Sequence, residues 1–393
     1  MLYVKHILRG MSLCIFLIFY KVRGLASLKG EALKIRKTSK QFIAFLEKMA
    51  YNGKNTCFDG VIFLATMDDI ARRLGISKGT VSKAFSGAED VSEAMRRSVL
   101  ETAVELGYTR QLRSRQAPKI CVFIENMAYE HPDDFGWDLV TGFRKLAEPD
   151  GCAVDIVPLS LDLQRRYRYD EYMLRYQYQG GFFLGSTLSD PWTAEFRTCR
   201  TPTVLLDNHT QYNPRVSQVG IDNDEAMEAA IEQLLRLGHR KIGYISSGLG
   251  SYIYQQRYMA FFRALRKHAL EEDRRLAGSS DEPEECVRVH LPRLLEEGCT
   301  AILCSHDLLA LEVMGRCRAM GLGVPEDVSI LGIDDLPVCA AVSPTLSSIR
   351  QDRTELGKSA YYALYSQIRQ IHISCLTLHP EIILRQSVGA AKR

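Results

Sequence analysis

The chain has 393 residues, of which 46% are hydrophobic and 25% charged, an ordinary soluble composition with room for two or three domains and a sizeable core. Its formal charge of +3 hides an asymmetry. Residues 1–65 carry eleven Lys/Arg against three Asp/Glu, residues 66–119 ten against seven, and the remainder 29 against 37, so a basic front precedes an acidic body and a polyanion is expected to meet the front only. The eleven cysteines are scattered singly, without a CxxC pair, which favours reduced core thiols in the cytoplasm over a disulfide framework and gives no zinc-ligand spacing.

In chain order, the first segment is the least patterned. "MSLCIFLIFY" (11–20) follows Lys5, His6 and Arg9 like a signal-peptide core, but it is short for a bilayer and no small-residue cleavage site follows convincingly. Residues 1–63 are therefore expected to be an extension, either dispensable or translated from a misassigned start.

From Thr66 the local chemistry becomes consistent. Thr66 and Asp69 form a capping box, Ile70, Ala71 and Leu74 share one helical face, and Gly75 ends the helix. Ser77 caps a second helix with Val81 and Phe85 inward. Val91 and Ser92 open a third, with Met95, Val99, Ala103 and Leu106 as its buried stripe and Gly107 as its stop. This helix-turn-helix layout over 64–108 exposes Lys78, Gly79, Ser82 and Lys83 on the second helix, the element that enters a major groove. Thr80 and Ser82 suit phosphates, Ser77 sets a helix N-terminus beside them, Lys83 is the expected base reader, and Lys78 suits base or phosphate.

After a basic linker (109–119), apolar runs at 119–126, 153–159, 180–186, 203–207, 241–247, 300–305 and 328–334 alternate with helical stretches such as 224–237, 255–270 and 308–320. Continuous apolar strands separated by helices specify parallel sheets covered on both faces, and their number over 120–390 suggests two doubly wound lobes. A ligand then belongs beyond the strands' carboxyl ends, in the cleft between lobes. Arg257 and Asp334 supply a bidentate fork and a carboxylate suited to paired hydroxyls, and Asp207 also follows a strand. Asp307 is expected to be a helix cap. Glu125, Asn126, Phe135 and Trp137 follow the first strand, and an aromatic there can stack on a sugar ring, as can Tyr252 or Tyr254.

"TMDDIARRLGISKGTVSKAFSG…DVSEAMRRSVLETAVELGY" resembles the headpiece of the LacI/GalR family of bacterial transcriptional repressors. "LLRLGHRKIGYISS", "AILCSHDLLALEVM", "SILGIDDLPVCAAVSPTLSSIRQDRTELGK" and "LTLHPEIILRQS" are similar to that family's periplasmic-binding-protein-like core. The resemblance implies Thr66, Ser77, Thr80 and Ser82 on phosphates, Lys78, Gly79 and Lys83 facing bases, and Asp207, Arg257, His306 and Asp334 on a small effector. Ser86 stands where the family usually has Asn. His306 also replaces a common Asn, which could alter hydroxyl specificity or add pH sensitivity. The family's hinge helix is poorly matched by "TRQLRSRQAPKI", where Leu112 is the candidate minor-groove wedge and Arg110, Arg113 and Arg115 can track phosphates.

The expected fold is thus α/β: a small three-helix unit followed by a two-lobed, doubly wound, parallel-sheet core of periplasmic-binding-protein type I. The expected function is a cytoplasmic DNA-binding repressor that binds a pseudo-palindromic operator as a homodimer under control of a carbohydrate-like effector, with no cofactor, metal or membrane. The alternative is an exported or anchored sugar-binding protein. An enzyme finds no support, since no phosphate loop, nucleophile elbow or metal cluster is present and Asp334–Asp335 sit on adjacent residues of a turn.

Overall fold

The computed structural model describes residues 65–108 and 118–392. The expected extension and residues 109–117 of the linker, with Arg110, Leu112, Arg113 and Arg115, lie outside these.

Three helices, α1 (Met67–Leu74), α2 (Lys78–Ser86) and α3 (Glu93–Leu106), form the front unit. Each cap is where the sequence puts it. Asp69 N donates to Thr66 Oγ1 at 3.3 Å while Thr66 N donates to Asp69 Oδ2 at 2.9 Å, closing the capping box. Thr80 N donates to Ser77 Oγ at 3.0 Å and Met95 N to Ser92 Oγ at 3.3 Å. Gly75 takes φ 66° to end α1, a left-handed conformation that a side chain would strain. Ile70, Val81, Phe85, Val91, Val99 and Leu100 are buried in one small core. At about 1.5–3 kcal/mol for each fully buried large apolar side chain, they are the main force joining three helices too short to persist alone.

The body contains two six-stranded sheets. The first lobe orders its strands β11-β5-β4-β3-β1-β2, all parallel, from β1 (Lys119–Ile124), β2 (Ala153–Pro158), β3 (Gly181–Leu184), β4 (Thr203–Leu206), β5 (Val216–Ile221) and β11 (Cys375–Leu378). The second orders β12-β10-β9-β8-β6-β7 from β6 (Ile242–Ser247), β7 (Ala277–Ser280), β8 (Ala301–Cys304), β9 (Ser329–Asp334), β10 (Ser347–Arg350) and β12 (Glu381–Ile383), with only β12 antiparallel. Helices cover both faces of each sheet. On the first, α4 (Phe135–Ala147) and α13 (Arg353–Ile368) cover one face, and α5 (Leu161–Arg166), α6 (Tyr169–Arg175) and α7 (Pro191–Glu195) the other. On the second, α8 (Asn223–Arg236) and α9 (Tyr252–Lys267) oppose α10 (Pro283–Glu296) and α11 (Asp307–Ala319), with the short α12 (Val338–Ala341) near β10. The chain crosses between lobes three times: from β5 into α8, from β10 into α13, and from β11 into β12.

All seven expected strands are present, and the expected fold class holds. The nine described cysteines are free, eight of them buried.

Helices α4 and α13 approach so closely that each needs a glycine. A Cβ on Gly142 would lie 2.2 Å from Thr354 O, and one on Gly357 would lie 2.1 Å from Leu139 O. Gly357→Val should therefore cost the molecule at least about 1–3 kcal/mol of stability through overpacking. Urea denaturation would show the midpoint falling; an unchanged midpoint would mean that the helices can separate freely.

Candidate functional site

The front unit presents one continuous polar face. Ser77, Lys78, Gly79, Ser82 and Lys83 are exposed around the start and outer side of α2, and Thr66 is exposed at the start of α1. Thr80 is half-buried, its hydroxyl 2.9 Å from Ser77 Oγ. No acidic residue occupies the first turn of α2, so its free N–H groups and dipole are open to an anion. Lys78 Nζ donates to Asp68 Oδ2 at 2.7 Å, and Lys83 pairs with Asp90. Both pairs are more than half exposed and so are worth at most about 1 kcal/mol, which lets a phosphate or base edge displace the carboxylates. Ser86, where the resemblance leads one to expect Asn, donates from Oγ to Lys83 O at 3.1 Å and finishes its own helix.

The second site forms where strand ends of the two lobes meet. Asp207, directly after β4, has φ 49° and a buried Oδ1 that meets no donor among the described residues. A Cβ on Gly220 of β5 would sit 2.4 Å from that oxygen, so this glycine makes room for the carboxylate. Asp334 ends β9; its Oδ1 accepts from Gln351 Nε2 at 2.6 Å and lies 3.6 Å from Arg257 Nη2.

Arg257, expected at a helix start, is in the second turn of α9 and almost wholly buried. Its fork is already engaged: Nη1 donates to Ser305 O at 2.5 Å and Nε to Asn223 Oδ1 at 3.3 Å. It thus organises the carboxylates more than it offers a free donor pair. Burial pushes the Asp207 carboxyl up to about 6, with Asp334 reinforcing the shift and Arg257 opposing it. Burial likewise raises Asp334 against the pull of Arg257.

His306 differs from the expectation of a pH sensor. Its Nδ1 accepts from Leu309 N at 3.2 Å, making it the N-cap of α11, so the ring proton resides on Nε2, 2.8 Å from Ser247 Oγ. Burial, with Arg257 second, pushes its pKa down to about 4, and the imidazole is neutral throughout the physiological range. Asp307, expected to be the cap, is instead the first helical residue and fully buried. It accepts from Ser348 Oγ at 2.6 Å and Leu336 N at 2.8 Å, tying β10 and the loop after β9 to α11. Burial and then Asp334 raise its carboxyl to about 7.

Around these groups the lobes touch. His209 and Tyr252 stack at 5.7 Å and Leu188 N donates to Gly250 O at 3.3 Å, while within the second lobe Tyr254 lies 5.8 Å from His306. Phe135 packs on the first-lobe core and lies under the Arg353 guanidinium at 5.7 Å, so the ring supports that arginine. Arg353 in turn donates to Asp334 O at 2.9 Å and to Asp138 Oδ2 at 3.1 Å, linking the end of β9 to α4. Trp137 is exposed and Glu125 is buried, accepting from Gln164 Nε2 at 2.9 Å. Sequence reasoning missed Gly220, Asn223, Gln351 and Arg353. Their one signal is position, each being on or just beyond a strand that crosses into the other lobe.

Residues 66–111 match the family of bacterial regulatory proteins of the lacI type, and residues 231–388 match the periplasmic binding protein-like domain. The chain carries a lacI-type headpiece ahead of a periplasmic-binding-protein-like domain. It is 28% identical over 336 residues to the HTH-type transcriptional repressor CytR of Escherichia coli K12, spanning 83% of this chain and 97% of that one. It is 26% identical over 341 residues to the repressor PurR of Aliivibrio salmonicida, spanning 83% and 99%. Among solved structures, a transcriptional regulator CelR–cellobiose complex shares the fold with TM-score 0.61 at 24% identity, covering 82% of this chain and 99% of that one. The lac repressor dimer bound to operator does so with TM-score 0.57 at 21% identity, covering 83% and 100%. The lacI assignment makes the chain a DNA-binding transcription regulator and not an enzyme, and it favours this reading over an exported sugar-binding protein. Among the described residues no helix is long and apolar enough to cross a membrane.

The neutral cap at His306 has a testable sign. Because its folded-state pKa lies below the ordinary 6.5, the unfolded chain takes up the proton first as pH falls, and this contribution to stability is lost between about pH 6.5 and 4. His306→Asn keeps an oxygen for Leu309 N. Relative to that variant, the wild type should lose on the order of 3 kcal/mol between pH 7 and 4. Denaturation curves at matched pH would show it, with the raised carboxyls cancelling in the difference; a constant difference contradicts it.

Proposed function

We propose that this regulator acts as a homodimeric repressor in the cytoplasm, each headpiece reading one half of a pseudo-palindromic operator. In this reading Thr66, Ser77, Thr80 and Ser82 hold phosphates, while Lys83 reads bases. Lys78 contacts a phosphate or base edge, and Gly79 lets the helix approach closely. Leu112, beyond the described residues, is the proposed minor-groove wedge. Support comes from the exposed cationic face of α2 and from the similarity to a lac repressor dimer on its operator.

The effector is proposed to be a neutral, sugar-like molecule held between lobes by Asp207, Arg257, His306 and Asp334, with Phe135 acting through Arg353. The observation that carries this is the balance of unused hydrogen-bonding capacity. Asp207 Oδ1 and Gln351 Oε1 are buried acceptors without donors among the described residues, whereas the guanidinium and the His306 N–H are engaged. A site left with acceptors calls for a ligand rich in hydroxyl or amine donors and disfavours phosphate or carboxylate groups. The His209–Tyr252 pair adds ring surface at the lobe boundary. One relative is the ribose operon repressor of Haemophilus influenzae, and solved neighbours include the CelR–cellobiose complex and an Enterococcus faecium regulator with bound ribose, in line with a carbohydrate class.

For the ligand to control DNA binding it must bind the open and closed cleft unequally, a coupling of typically about 1–3 kcal/mol. Thermal-shift measurements with pentoses, hexoses, disaccharides and nucleosides, each beside its phosphorylated counterpart, should yield stabilisation by a neutral compound and less by its phosphate. A larger shift from the phosphate contradicts the assignment. For the headpiece, Lys83→Ala should change which duplexes are preferred in selection from random sequence. Lys78→Ala should weaken all duplexes similarly and reduce the log–log salt slope by about 0.9. Equal effects of the two substitutions on selected and random DNA would remove the distinction.

A further inference from the structure

The headpiece is seated on the first lobe through a built interface. Helix α3 lies against α6, where Arg175 Nη1 donates to Glu93 Oε1 at 2.6 Å while only 18% of the arginine side chain is exposed. The same guanidinium stacks over Tyr167 at 5.4 Å, which fixes its direction. Gln177 Nε2 donates to Phe85 O at 3.0 Å, and Leu174 packs against the headpiece core. At the end of α3, a Cβ on Gly107 would fall 1.4 Å from Arg200 Nη1, so the backbone there meets the lobe directly.

Two features give this seat a role. First, it uses the backbone at Phe85 on the buried side of α2, whereas Lys78 and Gly79 at the helix start and Ser82 and Lys83 along its outer side remain exposed, so a seated headpiece can still read DNA. Second, α6 leads within six residues into β3, and the loop beyond β3 carries Leu188, whose N–H reaches Gly250 of the second lobe. One strand therefore connects the headpiece seat to the cleft boundary.

We propose that this surface of the first lobe, formed by Leu174, Arg175, Gln177 and Arg200, is a docking site for the chain's own headpiece that fixes its orientation on the core. In the dimer proposed above, on which this inference rests, the docked orientation sets the distance between the two reading helices and hence the half-site spacing that is accepted. A headpiece released from the seat keeps its contacts to one half-site but samples many separations, which lowers the effective concentration of the second contact.

The test uses the full-length chain and duplexes selected by the wild type from random sequence, then re-made with the centre lengthened or shortened by one base pair. The wild type should prefer its selected spacing strongly. Arg175→Glu should reduce that preference by at least about tenfold while leaving affinity for an isolated half-site unchanged. Glu93→Arg combined with Arg175→Glu should restore it, and the milder Gln177→Ala should give an intermediate loss in a chain whose folding is not at risk. If the folded variants, Gln177→Ala included, keep the wild-type spacing ratio, the docking proposal is overturned and the dimeric reading stands. If selection returns single, unrepeated sites, the dimeric reading itself fails and takes this inference with it.

Discussion

Parallel strand pairing is the constraint from which the cleft follows. It brings the carboxyl ends of every strand but the antiparallel β12 to one edge of its sheet, and the three chain crossings turn the two edges toward each other. Residues far apart in sequence, such as Asp207 after β4, His306 after β8 and Asp334 at the end of β9, then have to meet. The carboxylates that converge there are stable only because Arg257 is buried among them, and its own hydrogen bonds to Ser305 and Asn223 hold the guanidinium in place. Asp307, one residue past His306, adds a further anchor, since its two oxygens bind different strands' connections.

The consequence is a site whose polarity is unbalanced in a useful direction. Asp207 Oδ1 and Gln351 Oε1 are buried without donors among the described residues, so in the proposed reading an incoming hydroxyl satisfies an atom that was costly to bury, and the gain depends on where the lobes stand relative to one another. In the proposed mechanism a ligand of that kind alters the closure equilibrium by its differential contacts, and the headpiece is joined to the same first lobe whose strand ends line the cleft.

Much of this was legible in the sequence because the informative signals were local. Thr66, Ser77 and Ser92 each bond the backbone N–H that their spacing implies, and Gly75 and Gly107 each adopt the left-handed conformation their position implies. Six of the seven apolar runs are central strands, whose burial on both faces leaves an unbroken hydrophobic signature, while the seventh, β2, lies half-buried at a sheet edge. Strands β7, with Ala-Gly-Ser-Ser, and β10, with Ser-Ser-Ile-Arg, carry no such run, and they form because a neighbouring strand and a covering helix hold them. The candidate residues stand out by their place at strand ends, but their protonation and hydrogen-bond duties do not. His306 reads as a titrating imidazole until the helix that it caps is seen, and Asp307 reads as that cap until Ser348 and Leu336 are seen beside it. Arg353 gives no sign in sequence that it links Asp138 to the end of β9, because that contact spans 215 residues.

The proposed function separates DNA reading from ligand sensing and gives Asp334 wholly to the second. The most direct measurement is fluorescence anisotropy of a wild-type-selected duplex with the Asp334→Asn variant, with and without whichever neutral compound shifts the wild type. Asparagine keeps the oxygen that accepts from Gln351 but removes the charge that faces Arg257. The account predicts unaltered duplex affinity and a lost or strongly weakened response to the compound. A variant that responds like the wild type, or one that is folded yet no longer binds the duplex, would contradict it.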